Sequence, residues 1–277
     1  MTSLLNNLNN LQQRAIASVV GVSIILFSIF YSDWSFFLLF CVISVLTQLE
    51  FYKLLGLNGN QPLTYYGTAI GIIINLLTFL IEKGSLQPNF YYLTVPLVTS
   101  VFFIKLYKKK DLQPFLNIAF TFLGIIYVAL PFAFLIGLSL KAGYYNYEIV
   151  VGCLFLLWAS DIGAYFAGTR YGKRKLFERV SPKKSWEGFI GGALLAALVS
   201  TGLSHYFNTY NPWQWYCIAT IMVVCGTLGD LVESLFKRSI SIKDSGNSIP
   251  GHGGFLDRFD GLLLSMPFII TFVKLFS

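Results

Sequence analysis

PFLNIAFTFLGIIYVALPFAFLIGLSL, residues 114–140, contains no Asp, Glu, Lys or Arg. An uncharged run of this length belongs in hydrocarbon, because about 20 apolar residues suffice to cross a bilayer as a helix. Pro131 inside it predicts a kink or a break, since proline lacks an N–H and crowds the carbonyl four residues back. Comparable runs lie at 15–32, 34–49, 65–81, 90–107, 147–169, 188–207, 213–235 and 260–276, so about nine transmembrane helices are expected. The second is short for a span. Over all 277 residues the chain is 55% hydrophobic and 12% charged, with a mean hydropathy of +0.65. The fold class read from this is all-α, a polytopic integral membrane protein.

The cations give that pattern a direction. Seventeen of the twenty Lys and Arg fall at the N-terminus and in every second connection thereafter, whereas Lys83, Lys141 and Lys274 fall on the other side. Positive charge is retained in the cytoplasm, so the N-terminus and the loops 170–187 and 236–260 are expected there, with the C-terminus outside. Residues 1–13 read as a short interfacial segment, and no cleavage site marks the following run as a removable leader. The cysteines Cys41, Cys153, Cys217 and Cys225 sit in apolar runs without CxxC spacing, and His205 and His252 are the only histidines. Neither disulfides nor a zinc site is expected, and any metal should be hard and held by carboxylates. A net charge of +7 with aromatics confined to membrane-length runs points away from nucleic acid and toward anionic lipid or nucleotide. No repeat or linker divides the chain. Residues 1–140 read as lipid-facing supporting helices and 141–277 as the part carrying the chemistry, in one folded unit.

The chemistry concentrates in SLFKRSISIKDSGNSIPGHGGFLDRFD, residues 234–260, which holds four cations, three aspartates, a histidine and four glycines. A solvated loop between helices is the plain alternative, but the blocks Lys237-Arg238, Lys243-Asp244, Pro250 to Gly254 and Asp257-Arg258-Phe259-Asp260 each suit part of a phosphate and metal site. The glycines remove side chains where a bound group could approach the backbone, although tight turns also use them. Asp257 and Asp260 stand one turn apart if a helix has begun. Just upstream, Asp230, Glu233, Ser234 and Lys237 share one helical face, and Gly226 and Gly229 would admit another helix or a ligand. With Asp257 and Asp260, Asp230 can form an oxygen site for Mg²⁺.

Two further segments are polar where polarity is costly. Asp161 lies inside the sixth run, on one face with Tyr165 and Gly168, and needs a partner or a polar cavity. Pairing with an interfacial lysine, and helix packing through the small residues nearby, are the competing readings. Ser181-Pro182-Lys183-Lys184 reads as a helix start, with Ser181 as N-cap and Pro182 at the first helical position. Lys183 and Lys184 would then oppose the helix dipole unless an anion is bound there, the alternative being a polybasic lipid-facing surface.

These motifs resemble the phosphatidate cytidylyltransferase family, the CDP-diacylglycerol synthases. The family signature runs Ser-x-x-Lys-Arg, four residues, Lys-Asp, and closes His-Gly-Gly-x-x-Asp-Arg-x-Asp. Here it is Ser234, Lys237, Arg238, Lys243, Asp244, His252, Gly253, Gly254, Asp257, Arg258 and Asp260, with the spacing intact. The likeness extends upstream through Asp161 to Tyr165, Ser181 to Lys184, Glu187-Gly188 and Gly229-Asp230, covering roughly the C-terminal half; the N-terminal half matches in hydropathy alone. Ser185 replaces a frequent threonine, and Gly261 stands where serine is common, which removes any hydroxyl contact after the last aspartate.

What the resemblance implies is transfer of a cytidylyl group from CTP to phosphatidic acid, giving CDP-diacylglycerol and pyrophosphate, with Mg²⁺ and room for a second cation. It implies Asp230 and Asp257 as metal ligands, with Asp161 and Asp260 as further ligands or orienting groups. Asp230, Asp257, Asp260, Lys237 and Arg238 form the implied catalytic set. Lys183, Lys184 and Arg258 would share the phosphate charge with Lys237 and Arg238. Ser181 and Ser234 supply hydroxyls, and Lys243, Asp244, His252, Gly253 and Gly254 complete the substrate site. The expected setting is a bacterial inner membrane, and a homodimer is compatible with it. A transporter of a phosphorylated solute should show symmetry between halves, which is not seen. A non-catalytic lipid-binding protein needs only the polybasic loops.

Overall fold

The computed structural model describes residues 10–141, 143–242, 245–246 and 253–276, the side chains of 10–14 and 141 excepted. In order, the helices are α1 (Asn10–Tyr31), α2 (Asp33–Gly56), α3 (Thr64–Glu82), α4 (Thr94–Leu106, preceded by a 3₁₀ turn, Pro88–Leu93), α5 (Pro114–Gly124), α6 (Leu130–Leu138), α7 (Tyr147–Tyr171), α8 (Trp186–Tyr206), α9 (Pro212–Ser239) and α10 (Leu256–Phe276). Two small antiparallel hairpins, β1 (Leu140–Lys141) with β2 (Tyr144–Tyr145) and β3 (Lys175–Phe177) with β4 (Ser181–Ser185), sit in connections. Eight helical segments are long and apolar enough to cross a membrane, and Ala15–Tyr31 adds a shorter apolar helix. The chain is thus an all-α polytopic membrane protein. Large apolar side chains such as Val19, Phe27, Phe103, Leu194 and Leu198 lie exposed, as a lipid-solvated surface requires.

The expected second span, 34–49, is longer than its apolar run, since α2 continues to Gly56 and carries Glu50 within it. Ser32 separates it from α1 in an extended conformation, capping α2 through a hydroxyl that accepts from the Ser35 N–H. The 114–140 run forms α5 and α6 joined by a π-helical turn, Ile125–Ala129, with Pro131 at the start of α6. Widening the turn accommodates the proline ring where an α-helix would present the Tyr127 carbonyl.

The Ser181-Pro182 helix start is corrected by the structure. Ser181–Ser185 is strand β4, paired Lys175↔Ser185 and Phe177↔Ser181, and α8 begins only at Trp186. Extended backbone is what the residue before a proline prefers. The cap is Ser185, whose hydroxyl accepts the Gly188 N–H at 3.1 Å, while Glu187 in the first turn accepts the backbone N–H groups of Lys173 and Arg174. Lys183 and Lys184 therefore do not oppose the helix dipole.

Contacts at the two ends follow the alternation expected of antiparallel passes. At one end Lys83 pairs with Asp33 at 2.5 Å and Lys274 with Glu82 at 3.5 Å. At the other, the buried Lys105 ammonium donates to the Asp111 carboxylate and the Gln61 carbonyl. Asn117 bridges the same two loops, donating to Asp111 and accepting from the Gln61 N–H, both at 2.7 Å. Desolvation pushes the Asp111 carboxyl upward, but donation from Lys105, the Gln113 N–H and Asn117 outweighs it and holds the group below its ordinary value. The site lies at this second end.

Candidate active site

Small residues determine how closely its helices meet. α7 and α8 cross at glycine distance: a Cβ on Gly191 would lie 2.2 Å from the Ala167 Cβ, and one on Gly163 only 2.5 Å from the Gly191 carbonyl oxygen. The small residues beside Asp161 are thus a packing face. α9 and α10 approach in the same way, since a Cβ on Gly229 would lie 2.6 Å from the Asp260 carbonyl oxygen. Gly261 serves this crossing too, a Cβ there coming within 2.9 Å of Leu157 Cδ1 and 3.4 Å of Gly226 Cα. The serine common at that position in the family would crowd this contact here.

The approach of α9 to α10 brings three carboxylates together. Oxygens of Asp230, Glu233 and Asp260 lie within 4.8 Å of one another. Glu233 is 1% exposed, and its Oε1 is buried without a hydrogen-bond partner, while Oε2 holds Lys237 at 2.7 Å. Asp230 pairs with Lys184 at 2.5 Å and accepts the Ser234 hydroxyl at 3.3 Å; Lys184 also reaches the Thr227 carbonyl at 3.4 Å. Asp260 accepts the Gly261 N–H at 2.8 Å. The Tyr127 hydroxyl, carried by the π-helical turn, is buried without a partner in the field of Asp260, Glu233 and Asp230.

Asp257 is not one of these three carboxylates but adjoins Glu233, with which it shares Lys237. Its Oδ1 accepts Lys237 at 2.9 Å, and its Oδ2 accepts the N–H groups of Ser245 and Gly254 at 3.2 and 3.0 Å. Lys237 thus links Asp257 to Glu233. Asp161, exposed on α7, shares its electrostatic surroundings with Asp230, Lys184 and Arg258. Lys183, Arg238 and Arg258 are exposed, Arg238 donating to the Ile242 carbonyl at 3.2 Å, and Ser181 is half-buried in β4. Gly253 takes a left-handed φ of 84°. Lys243, Asp244 and His252 lie outside the described residues. The sequence spacing puts Glu233 on the face shared by Asp230, Ser234 and Lys237 without marking it as a candidate ligand, and gives no signal for Glu50 or Tyr127.

The cluster fits a hard divalent cation. Three converging carboxylates offer the oxygens such an ion takes, and an orphaned, buried carboxylate oxygen is otherwise costly. A separate groove of about 730 Å³ on the outer face of α7 and α8, lined by residues including Phe166, Arg170, Leu194 and Leu198, contains none of these carboxylates.

A polytopic membrane protein that gathers carboxylates and ammonium groups at one end of its bundle is equipped for phosphate chemistry at a membrane surface. The chain belongs to the Cytidylyltransferase family, whose sequence profile matches residues 12–276. The phosphatidate cytidylyltransferase of Haemophilus influenzae is 32% identical over an alignment of 289 residues that covers 95% of this chain and 98% of that protein. That of Staphylococcus saprophyticus is 32% identical over 85% of this chain and 86% of its own length, and that of Bacillus subtilis 40% identical over 61% and 62%. The likeness is therefore not confined to the C-terminal half, as the motifs alone suggested; it runs through the first helices as well.

Proposed function

We infer that this enzyme transfers the cytidylyl group of CTP to phosphatidic acid, forming CDP-diacylglycerol and pyrophosphate. The observation that carries the reading is the convergence of Asp230, Glu233 and Asp260, ringed by Lys184 and Lys237, on helices of a protein of this family. We assign Mg²⁺ to Asp230, Glu233 and Asp260, with Asp161 as an outer orienting group. When bound, the ion would neutralise triphosphate charge.

The remaining work falls to the chain. A phosphatidate oxygen forms the new P–O bond to the α-phosphorus as the α–β bridging bond breaks and pyrophosphate leaves, so positioning and charge neutralisation suffice without a covalent enzyme intermediate. Lys184 and Lys237 are paired with Asp230 and Glu233 in the structure. Substrate phosphates would draw Lys184 and Lys237 from these carboxylates, leaving Asp230 and Glu233 as groups that would hold the cation. Lys183, Arg238 and Arg258, exposed around the same end, collect the anionic substrates. Asp257 holds Lys237 and the start of α10, a positioning task, and Ser234 orients Asp230. Acyl chains remain in the bilayer, while CTP enters from the loops, which we place on the cytoplasmic face of a bacterial cell membrane from the cation asymmetry.

The test is incubation of the purified protein with CTP, Mg²⁺ and phosphatidate, with detection of pyrophosphate and CDP-lipid. Product is expected from wild type and not from Asp230→Asn. Absence of product from folded wild type, or undiminished product from the variant, would refute the assignment.

A further inference from the structure

The chemistry assigned so far uses α7 to α10. Glu50, from the other half of the chain, reaches the residues at the start of α10. Glu50, on α2, is 7% exposed inside a helix of membrane-spanning length, where an ionisable group is expensive unless it is given polar partners. Its partners are specific. Oε1 accepts the Ser245 hydroxyl, and Oε2 accepts the Phe255 N–H at 3.0 Å.

Phe255 immediately precedes α10, so the carboxylate sits at a helix N-terminus, where free N–H groups and the dipole favour an anion. Asp257 ties the same two backbone segments from the other side, through the Ser245 and Gly254 N–H groups. Gly254 is shaped to this arrangement: a Cβ there would fall 1.6 Å from Glu50 Oε1 and 2.1 Å from the Ser245 Oγ. At Gly254, therefore, the group that approaches the backbone is a carboxylate of the protein itself. A Cβ on Gly246 would likewise lie 3.4 Å from the Glu50 carboxyl carbon.

We propose that Glu50 is a positioning residue of the active site: by holding Ser245 and Phe255 it fixes the start of α10, and through it the placement of Asp257 and Asp260 against Lys237, Glu233 and Asp230. The inference rests on the cytidylyl-transfer reading of that site. Its consequence is that the N-terminal helices complete the active site rather than only support it.

Glu50→Ala removes both acceptors, and Ser245→Ala removes one donor. Because a shift of about 1 Å in a reacting group can cost roughly 10²-fold, Glu50→Ala should lower kcat by about that factor and raise the Mg²⁺ concentration giving half-maximal rate. Ser245→Ala should show the same two changes at about 10-fold in kcat. Glu50→Gln should recover much of the loss, since its amide oxygen can accept the Phe255 N–H while its NH₂ donates to the Ser245 oxygen. In the protein without metal or substrate, amide hydrogen exchange over residues 253–260 should be faster in Glu50→Ala and Ser245→Ala than in wild type. Wild-type kcat, Mg²⁺ dependence and exchange in a folded Glu50→Ala protein would overturn the proposal. If Glu50→Ala does not fold, the same wild-type behaviour in Ser245→Ala overturns it. Asp230→Asn assayed alongside separates the two levels: if it too turns over normally, the reading of the site has failed, and if it alone is inactive, only the role of Glu50 has.

Discussion

Gly191→Ala isolates the demand that helix packing makes on the site. The added Cβ would stand 2.2 Å from the Ala167 Cβ and 2.9 Å from the Gly163 carbonyl oxygen, neither of which can swing away. Ordinary contact begins at 3.4 Å, so α7 and α8 must part by about 1.2 Å at this level. α7 carries Asp161, and the residue before the cap of α8 is Lys184, which is paired with Asp230. Parting the helices therefore moves Lys184 relative to the carboxylate cluster, and misplacement on this scale is expected to lower turnover by about 10²-fold, with overpacking costing about 1–3 kcal/mol of stability. Gly202→Ala on the same helix is the control. A Cβ there meets nothing within 4 Å, so the substitution should leave turnover unchanged and add up to about 1 kcal/mol through helix propensity. Pyrophosphate release in detergent and thermal unfolding measure both quantities. Wild-type turnover in Gly191→Ala, or equal losses in the two variants, would show that the close α7–α8 crossing does not position the site.

Glu233→Gln should reduce turnover at least as severely as Asp257→Asn at limiting Mg²⁺, because Glu233 lies within the carboxylate cluster and Asp257 outside it; the reverse order would move the metal toward Asp257. Lys184→Gln frees Asp230 from its ammonium partner, so the apparent requirement for Mg²⁺ should fall while KM for CTP rises, and parallel movement of the two in kinetic titrations would contradict the partner exchange. Asp111→Asn leaves the buried Lys105 ammonium without a compensating charge and should cost about 3–5 kcal/mol by thermal or denaturant unfolding. Because the Asp111 carboxyl is held below its ordinary 3.8, its contribution is complete above that pH and is lost as pH falls through the depressed folded value; wild type should therefore lose stability relative to Asp111→Asn on acidification. Cysteines introduced into the 170–187 loop should label from the cytoplasmic face and one placed near Lys83 from the opposite face, and labelling from a single side would break the alternation of spans.

Most helices were legible because the physics that makes them is local in sequence. An uncharged run of membrane length has few alternatives in lipid, and Pro131 marks the long run that contains a π-helical turn. The face holding Asp230, Glu233, Ser234 and Lys237 was equally readable from a spacing of three and four. Other features depend on partners distant in the chain. Glu50 is not legible because the apolar run ends at residue 49, whereas the helix continues to Gly56 and the carboxylate accepts from Ser245 and Phe255, far along the chain. Ser181-Pro182 carried a real helix-start signal, but the pairing of Ser181–Ser185 with Lys175–Phe177 overrode it and left capping to Ser185. The distinct environments of Asp257 and Asp260 were not legible either, since only the fold shows that the Ser245 and Gly254 N–H groups converge on the former.

The contact between Glu50 and Phe255 spans 205 positions of chain. During synthesis α2 enters the membrane early, and its carboxylate must wait, through the insertion of every intervening helix, for the Ser245 and Phe255 donors. Closing so long a loop is slow compared with forming any single helix. The partly made protein thus carries a polar group that still lacks these two donors, which favours hydrated or chaperoned surroundings until the chain is nearly complete. Catalytic competence in the nascent protein should accordingly appear in one step, with the docking of α10, rather than accumulate helix by helix.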